Sequence, residues 1–139
     1  MQTSNDKGHK APEQLNDRET LDPTALDRLG GTDTPEGVEL VSELIILFRD
    51  GGAETIDVMQ RHVGAREWPT VGMAAHSLKS SAAYLGATRL SNLAAQLELD
   101  CAARQRDDAA LTALVAQVVA TYQRVLPALA ALEAELAGR

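Results

Sequence analysis

Apolar residues recur along this chain every three to four positions, and nowhere do they alternate with polar ones as a half-buried strand would. Leu21-Asp22-Pro23 opens a short first helix, with Asp22 as N-cap and Pro23 at the first helical position, and Gly30-Gly31 closes it. Thr34-Pro35-Glu36 repeats that opening. Val38, Val41, Leu44, Ile45 and Phe48, continued by Ile56 and Met59, then predict a second helix. Gly51-Gly52 lies inside it, and two glycines cost roughly 2 kcal/mol against alanine, so a kink or local break is expected there. Trp68-Pro69 begins a third helix that Gly86 ends in the left-handed conformation. Thr88 caps a fourth, with Leu90, Leu93, Ala94 and Leu97 facing inward. A polar hinge over 104–108 leads to the last and most regular helix, carried by Leu111, Leu114, Val118, Tyr122, Val125, Leu129, Leu132 and Leu136. Pro127 interrupts that pattern and is expected to bend the helix. The period predicts an all-α helical bundle over residues 21–139. Residues 1–20, polar and without period, are expected to be disordered.

One histidine stands apart from this scheme. On a 3.6-residue helix Val71, Ala74, Ala75, Leu78, Ala82 and Leu85 share one stripe, and His76 falls on the opposite side. Its neighbours there are Gly72 one turn back, Lys79 and Ser80 one turn on, then Ala83 and Ala87. An exposed imidazole among small side chains is open to approach by another protein. His9 in the tail and His62 near the end of the second helix have no such setting.

The same stretch resembles a known family. His76-Ser77-Leu78-Lys79, then Ser81, Leu85-Gly86-Ala87, Leu90, Leu93 and Leu97-Glu98, is similar to the histidine-containing phosphotransfer (HPt) domain pattern H-x-L-K-G-S-x-x-x-L-G-A-x-x-L-x-x-L-x-x-x-L-E, with every gap of the right length. One position departs from it: Ser80 stands where the family usually has glycine. The resemblance implies an antiparallel up-down-up-down four-helix bundle with a short N-terminal lid helix. It implies phosphorylation of His76 by a receiver-domain aspartate and onward transfer to another receiver domain. It also implies a largely monomeric protein, with Gly72, Met73, Ser80, Ala83 and Ala87 on the docking face.

The residue types suit that chemistry. Phosphoryl transfer is mostly positioning and charge stabilisation. A carrier needs a nucleophile that is neutral near pH 7, as an ordinary imidazole largely is. One ring nitrogen attacks only if the other holds the proton, and a carboxylate can accept that N–H. Glu98 occupies the position from which the family's glutamate or glutamine approaches the imidazole. Lys79 supplies positive charge one turn from His76, and Ser80 or Ser81 offers a hydroxyl donor. No glycine-rich phosphate loop is present, so a carrier without autokinase activity is expected, with no cofactor of its own and magnesium belonging to the partner. Two other readings stay open: a helical adaptor that docks receiver or kinase domains without phosphorylation, and a histidine-kinase dimerisation domain. The latter usually has an acidic residue directly after the histidine, where this chain has Ser77.

Composition narrows the partners. A formal charge of -7 opposes nucleic acid, which needs a basic face, and anionic membrane surfaces. Aromatics at 3% against 45% hydrophobic residues suit tightly packed, alanine-rich helices. Cys101 is the only cysteine, so no disulfide framework exists and a reduced compartment is expected. The N-terminus has no apolar signal-peptide core, and no apolar run approaches the eighteen or so residues of a membrane span. The expectation is therefore a soluble, cytoplasmic protein, and the opening methionine and polar tail favour a free-standing one.

Overall fold

A computed structural model describes residues 20–103 and 106–138. The expectation of a disordered tail falls outside these residues, Thr20 excepted. Among the described residues five helices follow in order: α1 (Thr24–Asp27), α2 (Pro35–Val63), α3 (Trp68–Tyr84), α4 (Thr88–Ala103) and α5 (Asp108–Ala137). Helix α2 packs on α3 and α5, α3 on α4, and α4 on α5, which closes the four long helices into a bundle. The short α1 lies against α3.

The helix ends follow from side chains that the sequence places there. Thr34 Oγ1 accepts the Gly37 N–H at 3.0 Å, and Asp107 Oδ1 accepts that of Ala110 at 2.8 Å, so α2 and α5 start on satisfied donors. Asp22 Oδ1 accepts the Thr24 N–H at 3.0 Å, although α1 proper begins after Pro23. Gly86, at φ 81, ends α3 as expected. Its carbonyl accepts the Asp22 N–H at 2.7 Å, tying the lid to the α3–α4 turn. Thr88 does not cap α4. It is the first helical residue, its hydroxyl donates to the Gly86 carbonyl at 3.3 Å, and the Ala87 carbonyl accepts the Ser91 N–H.

Neither expected interruption breaks its helix. Helix α2 runs unbroken through Gly51-Gly52, because the second glycine is a packing device. A Cβ on Gly52 would lie 2.7 Å from Tyr122 Cε1, so only glycine lets the tyrosine ring of α5 sit against the α2 backbone. Tyr122 then donates its hydroxyl to the Arg49 carbonyl at 3.2 Å and stacks tilted on Phe48 with centroids 5.7 Å apart. Helix α5 likewise continues through Pro127, whose ring faces solvent.

The core is the set of stripes read from the sequence: Val41, Ile45 and Met59 of α2, Val71 and Leu78 of α3, Leu90 and Leu97 of α4, and Leu111, Val118 and Leu129 of α5 are all essentially inaccessible. Each such side chain contributes about 1.5–3 kcal/mol by leaving water. Helix α5 contains an 18-residue window of mean hydropathy 1.3, long and apolar enough to cross a membrane by composition. That differs from the expectation that no such stretch exists. Leu111, Leu114, Val115, Val118, Val125, Leu129 and Leu136 are buried in this bundle, which is how a core helix passes the same test.

Candidate functional site

Helix α3 turns Val71, Ala75, Leu78 and Ala82 into the core, and this leaves His76 outside, with its side chain 62% exposed. Helix α4 buries Leu97 fully, so the next residue, Glu98, is rotated about 100° around the axis. That rotation brings its carboxylate to α3. Glu98 Oε2 lies 2.7 Å from His76 Nδ1, and Oε1 accepts from Lys79 Nζ at 2.7 Å. One carboxylate thus holds both residues of the preceding helix. The two hydrogen bonds, Lys79 first and His76 second, hold Glu98 below the usual carboxylate range. An ionised carboxylate only accepts, so the ring nitrogen facing it carries the proton. In the neutral ring Nε2 then keeps the lone pair, and it makes no hydrogen bond among the described residues.

The two serines beyond Lys79 differ in whether the hydroxyl folds back on the helix. Ser81 makes that back-bond, reaching the carbonyls of Ser77 at 3.3 Å and Leu78 at 3.2 Å, while Ser80 is exposed.

An open groove of about 550 Å³ runs beside the imidazole. Trp68, Gly72 and Cys101 are buried beneath it, and Pro69, Met73 and Ala102 are exposed along it. Met73 is 73% exposed. Trp68 is fixed by its indole N–H, which donates to Asp108 Oδ1 at 2.8 Å.

Of the residues expected on the docking face, Met73, Ser80 and Ala83 are exposed as predicted. Ala87 is not: it is fully buried, because α3 ends at Tyr84 and the Gly86 turn carries the chain inward before position 87. Gly72 is also buried. A Cβ there would lie 3.2 Å from Cys101 Cβ, so this glycine serves the close approach of α3 to α4 and reaches the surface only as groove floor. Cys101 is a small packed residue, as expected. His62 makes a pair of its own, Nδ1 to Glu67 Oε1, in the connection after α2. Sequence reasoning missed the groove and the Trp68–Asp108 bond, since both depend on which residues of distant helices meet. Among the described residues no group of His, Cys, Asp and Glu is arranged to hold a metal ion.

Comparison with known proteins bears on this geometry. The family model of the Hpt domain matches residues 43–136. Among solved structures, the chain is similar to the HPT domain from the Hpt sensor hybrid histidine kinase from Shewanella, with a TM-score of 0.67 at 17% identity, covering 85% of this chain and 97% of that one. At that identity the likeness is one of fold. A search of curated proteins finds no match.

Proposed function

The chain belongs to the Hpt domain family, a family of histidine phosphotransfer domains in phosphorelays, and from that premise we propose that it is a relay intermediate phosphorylated on His76. The Nε2 lone pair attacks the phosphorus of a receiver-domain aspartyl phosphate. The bond from phosphorus to the aspartate oxygen breaks, and the carboxylate leaves with its electron pair. The imidazole gains positive charge in that step, and the Glu98 carboxylate that accepts the Nδ1–H offsets it. Lys79 can release Glu98 and turn its ammonium to the incoming phosphoryl oxygens. The reverse sequence delivers the group to a second receiver domain.

The observation that carries this reading is the 2.7 Å contact between His76 Nδ1 and Glu98 Oε2 on an otherwise open helix face. It selects the tautomer in which Nε2 is nucleophilic, and an imidazole kept for packing has no use for it. In this reading the protein is a cytoplasmic monomer without autokinase activity, and magnesium is bound by the partner. The net charge of -7 supports a protein partner over nucleic acid or an anionic membrane.

The test is transfer from a phosphorylated receiver domain. Label should appear on the wild-type protein in acid-labile, base-stable form and be absent from His76→Gln. Full labelling of that variant would sink the assignment. Tight receiver binding with no label on the wild type would leave a docking adaptor instead.

A further inference from the structure

Lys79 is gripped at both ends. Its Nζ is held by Glu98, and its main-chain carbonyl accepts a second bond from outside its own helix, donated by Ser91 Oγ at 2.9 Å. Ser91 and Glu98 are seven residues apart on α4, two turns, and so lie on one face of that helix. The two ties therefore act from one rail of α4 on one short stretch of α3.

The packing between these helices explains why a polar tie matters here. At their close approach Gly72 of α3 lies against Cys101 of α4, where an added Cβ would come 3.2 Å from the cysteine Cβ, so small residues meet there. Small side chains bring backbones close but give shallow ridges, so they resist sliding and rotation less than interlocked leucines do. Carboxylate geometry is less forgiving. A slip of α3 by one residue rise, about 1.5 Å, would stretch and bend both 2.7 Å contacts of Glu98 and so weaken them.

We propose that Ser91 is a positioning residue for phosphotransfer: its hydroxyl, bonded to the Lys79 carbonyl, sets the register of α3 on α4 and so aligns His76 and Lys79 with Glu98. It touches neither the imidazole nor the phosphoryl group. A carbonyl oxygen has two lone pairs, so this bond adds to the helical one and leaves α3 intact. This rests on His76 as the phosphorylated residue for its kinetic consequence, but the alignment itself can be read without any transfer.

The experiment compares wild type, Ser91→Ala and Ser91→Thr by the ¹⁵N spectrum of His76 and by transfer rate from a phosphorylated receiver domain. In Ser91→Ala the preference for the Nδ1–H tautomer should weaken and transfer should slow about fivefold, the weight of one hydrogen bond. Ser91→Thr, which keeps the hydroxyl, should restore both. A residue that only supported the fold would lower the melting temperature and leave the tautomer balance of the folded protein unchanged. A wild-type tautomer signature in folded Ser91→Ala overturns the proposal. If the wild type itself takes no label on His76, the relay reading fails, while the ¹⁵N comparison still decides the role of Ser91.

Discussion

His76 Nδ1 meets Glu98 Oε2 at 2.7 Å across 22 residues of sequence and the whole α3–α4 turn. Because the carboxylate also takes Lys79, the contact fixes a tautomer and places a cation in one step. Glu98→Gln separates these functions. The amide oxygen can still accept the Nδ1–H, but the negative charge is gone. Transfer by Glu98→Gln should therefore fall less than by Glu98→Ala, and only the alanine variant should lose the Nδ1–H signature in the ¹⁵N spectrum. Equal behaviour of the two would mean that charge, and not tautomer selection, is the contribution of Glu98.

The titration of Glu98 follows from the same pair of bonds. Its folded-state pKa lies below the ordinary value of 4.5, chiefly through Lys79 and secondly through His76. A depressed carboxylate contributes stability that is fully present above the unfolded value and is lost as pH falls through the folded one. The site should hold its carboxylate charge from neutrality down past pH 4.5, and side-chain ¹³C shifts read the midpoint directly. Lys79→Ala should raise that midpoint more than His76→Gln does. The opposite order would mean that the imidazole is the stronger partner.

Much of this was legible in the sequence, and the misreadings share one cause. Helical period alone located α2 to α5 and put Lys79 one turn from His76, and the family resemblance pointed to Glu98, because these depend on positions within a helix or on a pattern of fixed gaps. Gly51-Gly52 was expected to break α2 because propensity treats glycine as a cost, whereas Tyr122, seventy residues on, makes the second glycine a packing requirement. Ala87 was extrapolated on a helix that had already ended at Tyr84. Gly72 read as surface because its helical angle is near that of His76, and only the position of α4 shows that it faces Cys101. Ser91 carried no signal, since its partner is a backbone carbonyl and main-chain atoms leave no trace in a sequence.

Gly86 is a position where a small substitution should cost much. At φ 81 an L side chain is strained by roughly 1–2 kcal/mol. An added Cβ would also lie 2.5 Å from the Asp22 carbonyl oxygen and 2.9 Å from Ala25 Cβ. Gly86→Ala should lower the melting temperature by several degrees and release the lid. Hydrogen exchange at the Asp22 amide, bonded to the Gly86 carbonyl, should then quicken. An unchanged exchange rate would show that the lid is held elsewhere.

Lys79 offers the reverse case, a large effect on chemistry with little on the fold. Its side chain and that of Glu98 are only about one-third exposed, 34% and 30%, yet the pair lies at the surface, where ion pairs add little to stability. Lys79→Ala should melt within about 3 °C of wild type. Transfer should nevertheless slow, or the lifetime of the phosphohistidine should change, because no cation then faces the phosphoryl oxygens. Unaltered rate and lifetime together would reduce Lys79 to a clamp on Glu98.

Ser80 is expected to set how close a partner comes. It is exposed one turn beyond His76, where the family pattern has glycine, and its hydroxymethyl group is the only addition to that surface. The serine whose hydroxyl folds back on the helix is Ser81, so Ser80 is not flattened by a back-bond. The addition is still only two heavy atoms, and a receiver loop with a few tenths of an ångström of freedom can accept it. Ser80→Gly should therefore transfer at about the wild-type rate, with the helix weakened by roughly half a kcal/mol. Ser80→Arg tests the face itself. An arginine here points into solvent, so circular dichroism and melting should match wild type, while transfer from a phosphorylated receiver domain should be blocked. Acetyl phosphate, a donor too small to need the face, should label both proteins equally if it labels either. Transfer to Ser80→Arg at the wild-type rate would mean that the partner does not pass over this turn, and the docking surface would then lie toward Met73 and the groove.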